Sequence, residues 1–443
     1  MRNSSQWKTR ALGVYRWVQR AWVEKWVLPH FFSPKRVPVC RASLQAPLSE
    51  PSLREKKRIW FHAASAGELE CLWPLILQLA KSQVALGVSI FSESAWPSLP
   101  KLRSELEAQS ATVCFLGFSP WEGSWSQALD QFQPHLWITA KYEAWPDLWA
   151  SLAERKIPLI IVGARPRRSL SLAKMISQRL FGRLPECLFF PTDESDVAGL
   201  KRIFPQASLH CVNEPRWERV FERAEKGNPR AREIGLAFEE FSSSLGCGVI
   251  GNAWISDLQF LSELIGHESS LLWVVPHRVD SATVATLDAW IQSLGRSVIQ
   301  TQGRSEQELK HEFLKAWGSP DARSKTLPPV ILVNEMGFLL ELYSKAQWAY
   351  VGGGFGHGVH STLEPAIFGI PVASGPQGQH KFSEIQQLQK TQQLRVLKNQ
   401  ADLRYWMKSR NSSSLERETW IQQAQNRRGG VNQIARVLEK RYF

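Results

Sequence analysis

The chain has 443 residues, 43% of them hydrophobic and 21% charged, a balance that describes a folded protein of two or three domains at about 150 residues each and excludes a disordered one. A formal charge of +13 implies anionic partners: nucleic acid, phospholipid headgroups or a phosphorylated substrate. No apolar run reaches the length of a membrane-spanning helix, and the N-terminus lacks the apolar core and cleavage site of a secretory signal, so the protein is expected to stay in the cytoplasm.

Residues 6–30 form a candidate amphipathic helix in which Trp7, Val14, Trp17, Val18, Trp22 and Trp26 recur at mostly helical steps. Lys8, Arg10, Arg16, Arg20 and Lys25 lie among them against a single acid, Glu24. Such a helix either lies on an anionic bilayer or packs on the protein's own core. Residues 1–57 read as this basic, Trp-rich segment followed by a proline-rich linker. The twenty tryptophans are expected mostly in the core. The six scattered cysteines, Cys40, Cys71, Cys114, Cys187, Cys211 and Cys247, read as buried free thiols of a reducing compartment.

From Arg58, apolar runs alternate with helix-length segments. The runs at 59–63, 84–91, 136–140, 158–164, 187–193 and 209–212 predict a parallel sheet with helices on both faces. A charged and then Ser-rich stretch at 222–246 marks a domain boundary. A second series follows at 248–254, 271–277, 297–301, 329–335 and 348–351, and Pro371-Val372-Ala373 reads as a further strand. The expected class is α/β with two Rossmann-like domains facing a central cleft, over 58–225 and 226–413, and a basic helical tail at 414–443.

Ligands of such sheets bind beyond the carboxyl ends of the strands, where this chain places its polar motifs. In Ser65-Ala66-Gly67-Glu68 the carboxyl group is either half of a Ser-x-x-Glu capping box or a base for a bound hydroxyl. Glu143, two residues after Lys141, follows another strand, and Trp145-Pro146 opens a helix. Pro276-His277-Arg278 ends a strand with donors suited to phosphate or ribose. Gly337, between Met336 and Phe338, can bring backbone atoms against a base. The segment 348–376 runs from a strand through Gly352-Gly353-Gly354 to a helix expected to begin at Ser361 and end near Gly369. A strand, a glycine loop and a helix N-terminus together suit a phosphate, since glycines allow close approach and free N–H groups favour an anion. His357 and His360 fit phosphate hydrogen bonding better than metal ligation.

The motifs HAASAGE, KYEAWPDL, GARPRRS, NEPRWERV, GNAWISD, VPHR, VNEMGFLLELYSKAQWAYVGGGFGHGVHSTLEP and FGIPVASGP occur in this order over residues 58–385. Together they resemble the 3-deoxy-D-manno-octulosonic acid (Kdo) transferases of lipopolysaccharide synthesis. The resemblance implies a GT-B glycosyltransferase with the acceptor on the N-terminal domain and the nucleotide sugar on the C-terminal one. It further implies inverting transfer of Kdo from CMP-Kdo to the lipid A precursor, a tetraacyl glucosamine disaccharide bisphosphate. The location it implies is the cytoplasmic face of the bacterial inner membrane, where the protein is peripheral or interfacially anchored.

By the same resemblance Glu68 is the general base and Arg216 a basic group assisting the transition state; Glu143, from its place just beyond a strand's carboxyl end, is either a further catalytic group or a structural one that bonds backbone N–H groups. CMP would meet Pro276, His277, Arg278, Met336, Gly337, Phe338, Ser361, Thr362, Leu363 and Glu364, the last suited to the ribose hydroxyls. No cofactor and no metal are expected, and the partners are CMP-Kdo, the lipid A precursor and an anionic membrane surface, with no nucleic acid. Two departures stand out. Lys141 occupies a place where many members carry Glu, and Ser361 replaces an Asn. The competing readings are a GT-B transferase for another nucleotide sugar, and a non-catalytic binder of anionic membrane or nucleic acid.

Overall fold

The computed structural model describes residues 55–120, 125–141, 143–318, 326–379, 382–411 and 413–443. The candidate helix at 6–30, most of the linker and Cys40 lie outside them. The chain divides into two compact units: residues up to Arg219 with Arg428–Phe443, and Val220–Arg427.

In the first unit, β1 (Lys57–Ala63), β2 (Val84–Ile90), β3 (Thr112–Phe118), β4 (Leu136–Ala140), β5 (Leu159–Val162), β6 (Cys187–Phe190) and β7 (Ser208–Leu209) form one parallel sheet in the order β3-β2-β1-β4-β5-β6-β7. The strands are near-continuous apolar runs because both faces are covered. Alternate residues of β1 enter different cores: Ile59, Phe61 and Ala63 pack with the Ala66–Ala80 helix, and Trp60 packs on the opposite face. There Trp60, Trp125 and Trp137 meet edge to face or tilted, with ring centroids 4.8–6.3 Å apart, and each well-formed pair adds about 0.5–1.5 kcal/mol beyond area burial. Many of the tryptophans are therefore core residues, as their number suggested.

The second unit repeats the plan with β8 (Cys247–Ala253), β9 (Leu271–Pro276), β10 (Val298–Gln300), β11 (Val330–Leu332), β12 (Trp348–Val351), β13 (Val372–Ser374) and β14 (Leu394–Val396), ordered β10-β11-β9-β8-β12-β13-β14 and all parallel. β3 and β14 are strands that the sequence reading does not contain. Both are sheet edges, and β14 is three residues long with an exposed arginine at its centre.

The tail does not stay together. The Ser414–Gln425 helix belongs to the second unit, whereas the Gly430–Tyr442 helix belongs to the first. Val431, Ile434, Ala435 and Leu438 of the last helix enter the core beside the Ala66–Ala80 helix. Glu218 fixes its start by accepting the N–H groups of Gly429 at 2.7 Å and Val431 at 3.1 Å.

Of the described cysteines, Cys71, Cys187 and Cys247 are buried, but Cys114 is half-buried and Cys211 exposed, so the expectation of uniformly buried thiols is corrected. Among the described residues, no helix is long and apolar enough to cross a membrane.

Each sheet has a point where strand order reverses, between β1 and β4 in the first and between β8 and β12 in the second. The crevice beyond the carboxyl ends of such a pair is where open α/β sheets bind ligands. Both pairs carry the residues singled out above.

Candidate active site

In the first unit, β1 ends at Ala63 and the next helix begins at Ala66. Ser65 is its N-cap residue but makes no side-chain capping bond, so the capping box is not formed. Instead Glu68 turns back and its Oε2 accepts the Ala64 N–H at 2.7 Å. The carboxyl group is buried, and its pKa is pushed up to about 8, first by burial and then by the Glu143 charge, with Lys141 and backbone N–H groups opposing. A buried carboxyl shifted toward neutrality at a strand's carboxyl end is suited to proton transfer.

Glu143 follows β4. Its Oε2 accepts the Trp145 indole N–H and lies 3.6 Å from His62 Nε2. The register of β1 places His62 opposite Ser89 on β2, and His62 Nδ1 is 2.9 Å from the Ser89 hydroxyl. Ser89 Oγ accepts the Trp60 N–H at 2.8 Å, so its own proton is available to His62 Nδ1.

Lys141 has φ of 59°, a left-handed conformation uncommon for a residue with a side chain. It turns the chain at the end of β4 while its amide still bonds Val162 O at 2.8 Å. Its charge acts on Glu68 and also on Glu214, which is buried with Arg216. Arg216 Nε donates to Glu214 Oε1 at 3.0 Å. Burial alone would raise the Glu214 pKa, but the Arg216 and Lys141 cations outweigh it and hold the group down at about 2. Cys71 completes the cluster, its thiol donating to Glu214 at 3.5 Å and pushed well up by burial. The structure thus brings Glu68, Lys141, Glu143 and Arg216 to one sheet edge. His62 and Glu214, which sequence reasoning missed, join them. Glu214 had a signal, since it stands inside NEPRWERV two residues before Arg216.

In the second unit, Trp254 follows β8 and is sandwiched: its ring lies 3.6 Å from that of His357 and 4.6 Å from that of His277, and His277 stacks on His360 at 4.4 Å. His277 has its pKa lowered by burial, then by Arg278 and His357. The two loop histidines are therefore part of an aromatic stack. Asp257 was also missed. It is fully buried and accepts the Trp254 N–H at 3.0 Å, the Tyr350 hydroxyl at 3.0 Å and the Gly353 N–H at 2.8 Å. Burial raises its pKa against these bonds.

The glycines of the loop have a reason other than ligand approach. A Cβ on Gly354 would sit 2.4 Å from the Gly375 backbone, and Gly353 has φ of 90° with Gly358 O just 2.3 Å from where its Cβ would be. The amides of Gly352, Gly353, His357, Gly358, Val359 and His360 all donate to the protein itself, so an anion would be met by the remaining amides of the segment.

The following helix is Leu363–Ala366, four residues with Thr362 as its N-cap. The expected start at Ser361 and end near Gly369 are corrected, and so short a helix has little macrodipole. Thr362 is fully buried and its hydroxyl has no partner among the described residues. Glu364 Oε1 accepts from Arg223 Nη1 at 2.7 Å. Met336 is exposed, Gly337 is left-handed with φ of 86°, and Phe338 is buried in the core. Pro276 is the last residue of β9, with His277 and Arg278 immediately beyond it.

Residues 38–218 match the family model described as 3-Deoxy-D-manno-octulosonic-acid transferase (kdotransferase). A 3-deoxy-D-manno-octulosonic acid transferase of Aquifex aeolicus is 25% identical over 340 residues, covering 75% of this chain and 79% of the relative. The enzyme of the same name from Haemophilus influenzae is 23% identical, covering 73% and 71%. The fold is shared with UDP-GlcNAc 2-epimerase from Neisseria meningitidis, bound to UDP-GlcNAc, at a TM-score of 0.55 and 13% identity over 86% of this chain and 100% of that one. Two Rossmann-like units of this kind are the GT-B architecture. The family model over residues 38–218 and the two relatives, together with the ordered motifs that carry the site, support the 3-deoxy-D-manno-octulosonic acid transferase family and a glycosyltransferase for this chain.

Proposed function

We propose that this enzyme transfers Kdo from CMP-Kdo to the lipid A precursor, with inversion at the anomeric carbon, at a membrane surface during lipopolysaccharide synthesis. The observation that carries the reading is Glu68: a buried carboxyl at the switch point of the first sheet, with its pKa raised to about 8, in a chain of this family. Glu68 removes the proton as an acceptor hydroxyl attacks the anomeric carbon. The carbon–oxygen bond to CMP breaks as the new glycosidic bond forms, and attack opposite the leaving group inverts the centre.

Negative charge then grows on the departing phosphate. Thr362 and the amides of Ser361, Thr362 and Leu363, with His277 and Arg278, are the proposed stabilisers, since pre-placed donors aimed at developing charge lower the barrier. Met336, Gly337 and Phe338 supply backbone contacts to the base, and Glu364 the ribose contact, with Arg223 holding its carboxylate. Pro276 closes β9 and aims His277. Glu143 and Lys141 set the charge around Glu68, and Arg216 supports the transition state while neutralising Glu214.

The test is product mass after incubation with CMP-Kdo and a tetraacyl disaccharide bisphosphate. Addition of Kdo is expected. Transfer from a UDP-sugar with none from CMP-Kdo overturns the donor, and Kdo transfer only to another acceptor overturns the lipid A reading.

A further inference from the structure

The second unit contains a cavity of about 400 Å3 that none of the residues assigned to CMP lines. It opens between the Pro229–Ala237 and Leu339–Lys345 helices and reaches the sheet at Trp273 of β9. Ala231, Leu340, Leu342 and Phe368 complete an apolar lining, and Leu236, 55% exposed, stands at its edge. The volume falls in the range of about 300–1,000 Å3 that holds small molecules, and an apolar lining with few polar groups is their usual setting.

Two glycines shape the space for different reasons. Gly235, in the last turn of the first helix, has no left-handed φ, and a Cβ there would meet nothing within 4 Å. Glycine inside a helix lowers stability relative to alanine, so what the missing side chain provides here is open volume. Gly227 has φ of 64°, and its Cβ would lie 2.5 Å from Arg232 Nη2. It therefore makes room for the Arg232 guanidinium, which lines the same cavity and is exposed.

The charges around the opening differ in what they still need. Glu239 is ion-paired with Lys345 at 3.1 Å, and Glu341 accepts the Asn228 N–H beside the Arg223 charge. Among the described residues, Arg232 forms no ion pair. An apolar chamber beside one unpaired cation calls for a ligand with an apolar body and a single anionic head.

We propose that this cavity binds a free aliphatic carboxylate, its chain against Trp273, Leu340 and Leu342 and its head on Arg232. The guanidinium offers a carboxylate two parallel N–H donors, and burial of the chain supplies the rest of the affinity. An acyl chain joined through an ester or amide brings no anion to Arg232, so the free acid is the better match.

The experiment is calorimetric titration of the full chain with decanoate, octanoate and 1-decanol, alongside thermal melting. The wild type is expected to bind decanoate saturably, and octanoate about tenfold more weakly for its two fewer methylenes. It should bind 1-decanol roughly fivefold more weakly than decanoate, and Arg232→Gln should bring decanoate down to the level of 1-decanol. Gly235→Leu should abolish decanoate binding while its melting temperature equals or exceeds that of the wild type, because the leucine occupies the open space. Absence of saturable decanoate binding by the wild type overturns the proposal, and unchanged binding by Gly235→Leu overturns this cavity as the place. A lower melting temperature of Gly235→Leu shows the space to be closed and overturns it as well. Equal affinity for decanoate and 1-decanol overturns the free acid and leaves an uncharged acyl chain as the occupant.

Discussion

His62 Nε2 stands 3.6 Å from Glu143 Oε2, bringing the carboxyl end of one central strand against the loop that follows its neighbour. Behind His62 the contacts continue through Ser89 to Trp60 in the apolar core. Replacing His62 by Phe takes away the 2.9 Å partner of the buried Ser89 hydroxyl, although Glu143 keeps the Trp145 indole N–H. A loss of about 1–3 kcal/mol is expected, the usual cost of stranding a buried polar group. Urea denaturation of His62→Phe measures it, with the smaller loss in His62→Gln as the control.

Glu68 governs two pH dependences. As the proposed base it acts ionised, so transfer at subsaturating acceptor should rise with pH and level off above about 8. Stability runs the other way. The folded pKa lies above the ordinary 4.5, so the group's contribution is full below 4.5 and is lost as pH climbs through about 8. Glu68→Gln should therefore abolish transfer yet gain stability on the wild type across that window, at up to about 1.4 kcal/mol per pH unit. Calorimetry at several pH values, with turnover on the same samples, reads both; turnover persisting in the variant removes Glu68 as base.

Arg216 and Glu214 form a buried pair. Removing the arginine leaves the buried Glu214 carboxylate with the Lys141 charge and the Cys71 thiol as its remaining support, and Arg216→Ala should cost about 3–5 kcal/mol. The double change Arg216→Met with Glu214→Gln should recover much of that stability. Recovery of the fold without recovery of transfer would identify a role for the guanidinium in the reaction. Full recovery of both would confine Arg216 to structure.

Asp257 is expected to set the glycine loop. Asp257→Ala strands the Tyr350 hydroxyl and the Gly353 N–H, with a cost of about 3 kcal/mol, and should weaken CMP binding measured by calorimetry. Gly354→Ala tests the same loop from the other side. The new methyl group meets the Gly375 backbone, so CMP affinity should fall although the change adds no charge and removes no donor.

The alternation of apolar runs and helix-length segments reported both sheets correctly because their central strands are covered on both faces. β3 escaped because several of its residues are half-exposed, and β14 because three residues carry too little pattern. The strand-end motifs located Glu68, Glu143 and His277, since position after a strand is visible in one dimension. His62 with Ser89 and Asp257 with Gly353 were not visible: their partners lie 27 and 96 residues away and are set by sheet register. The glycine run was legible as a special backbone, but its cause was not. Three glycines before a short helix look alike whether they make room for a phosphate or for Gly375.

The last helix has a consequence for how the protein is made. The core around the Ala66–Ala80 helix contains Val431, Ile434 and Leu438, which leave the ribosome only after the whole second unit. Until then the first unit carries an uncovered apolar strip, although nearly all of its own sequence was translated before the second unit began. Premature termination anywhere beyond Arg427 would therefore damage the half of the protein that was synthesised first.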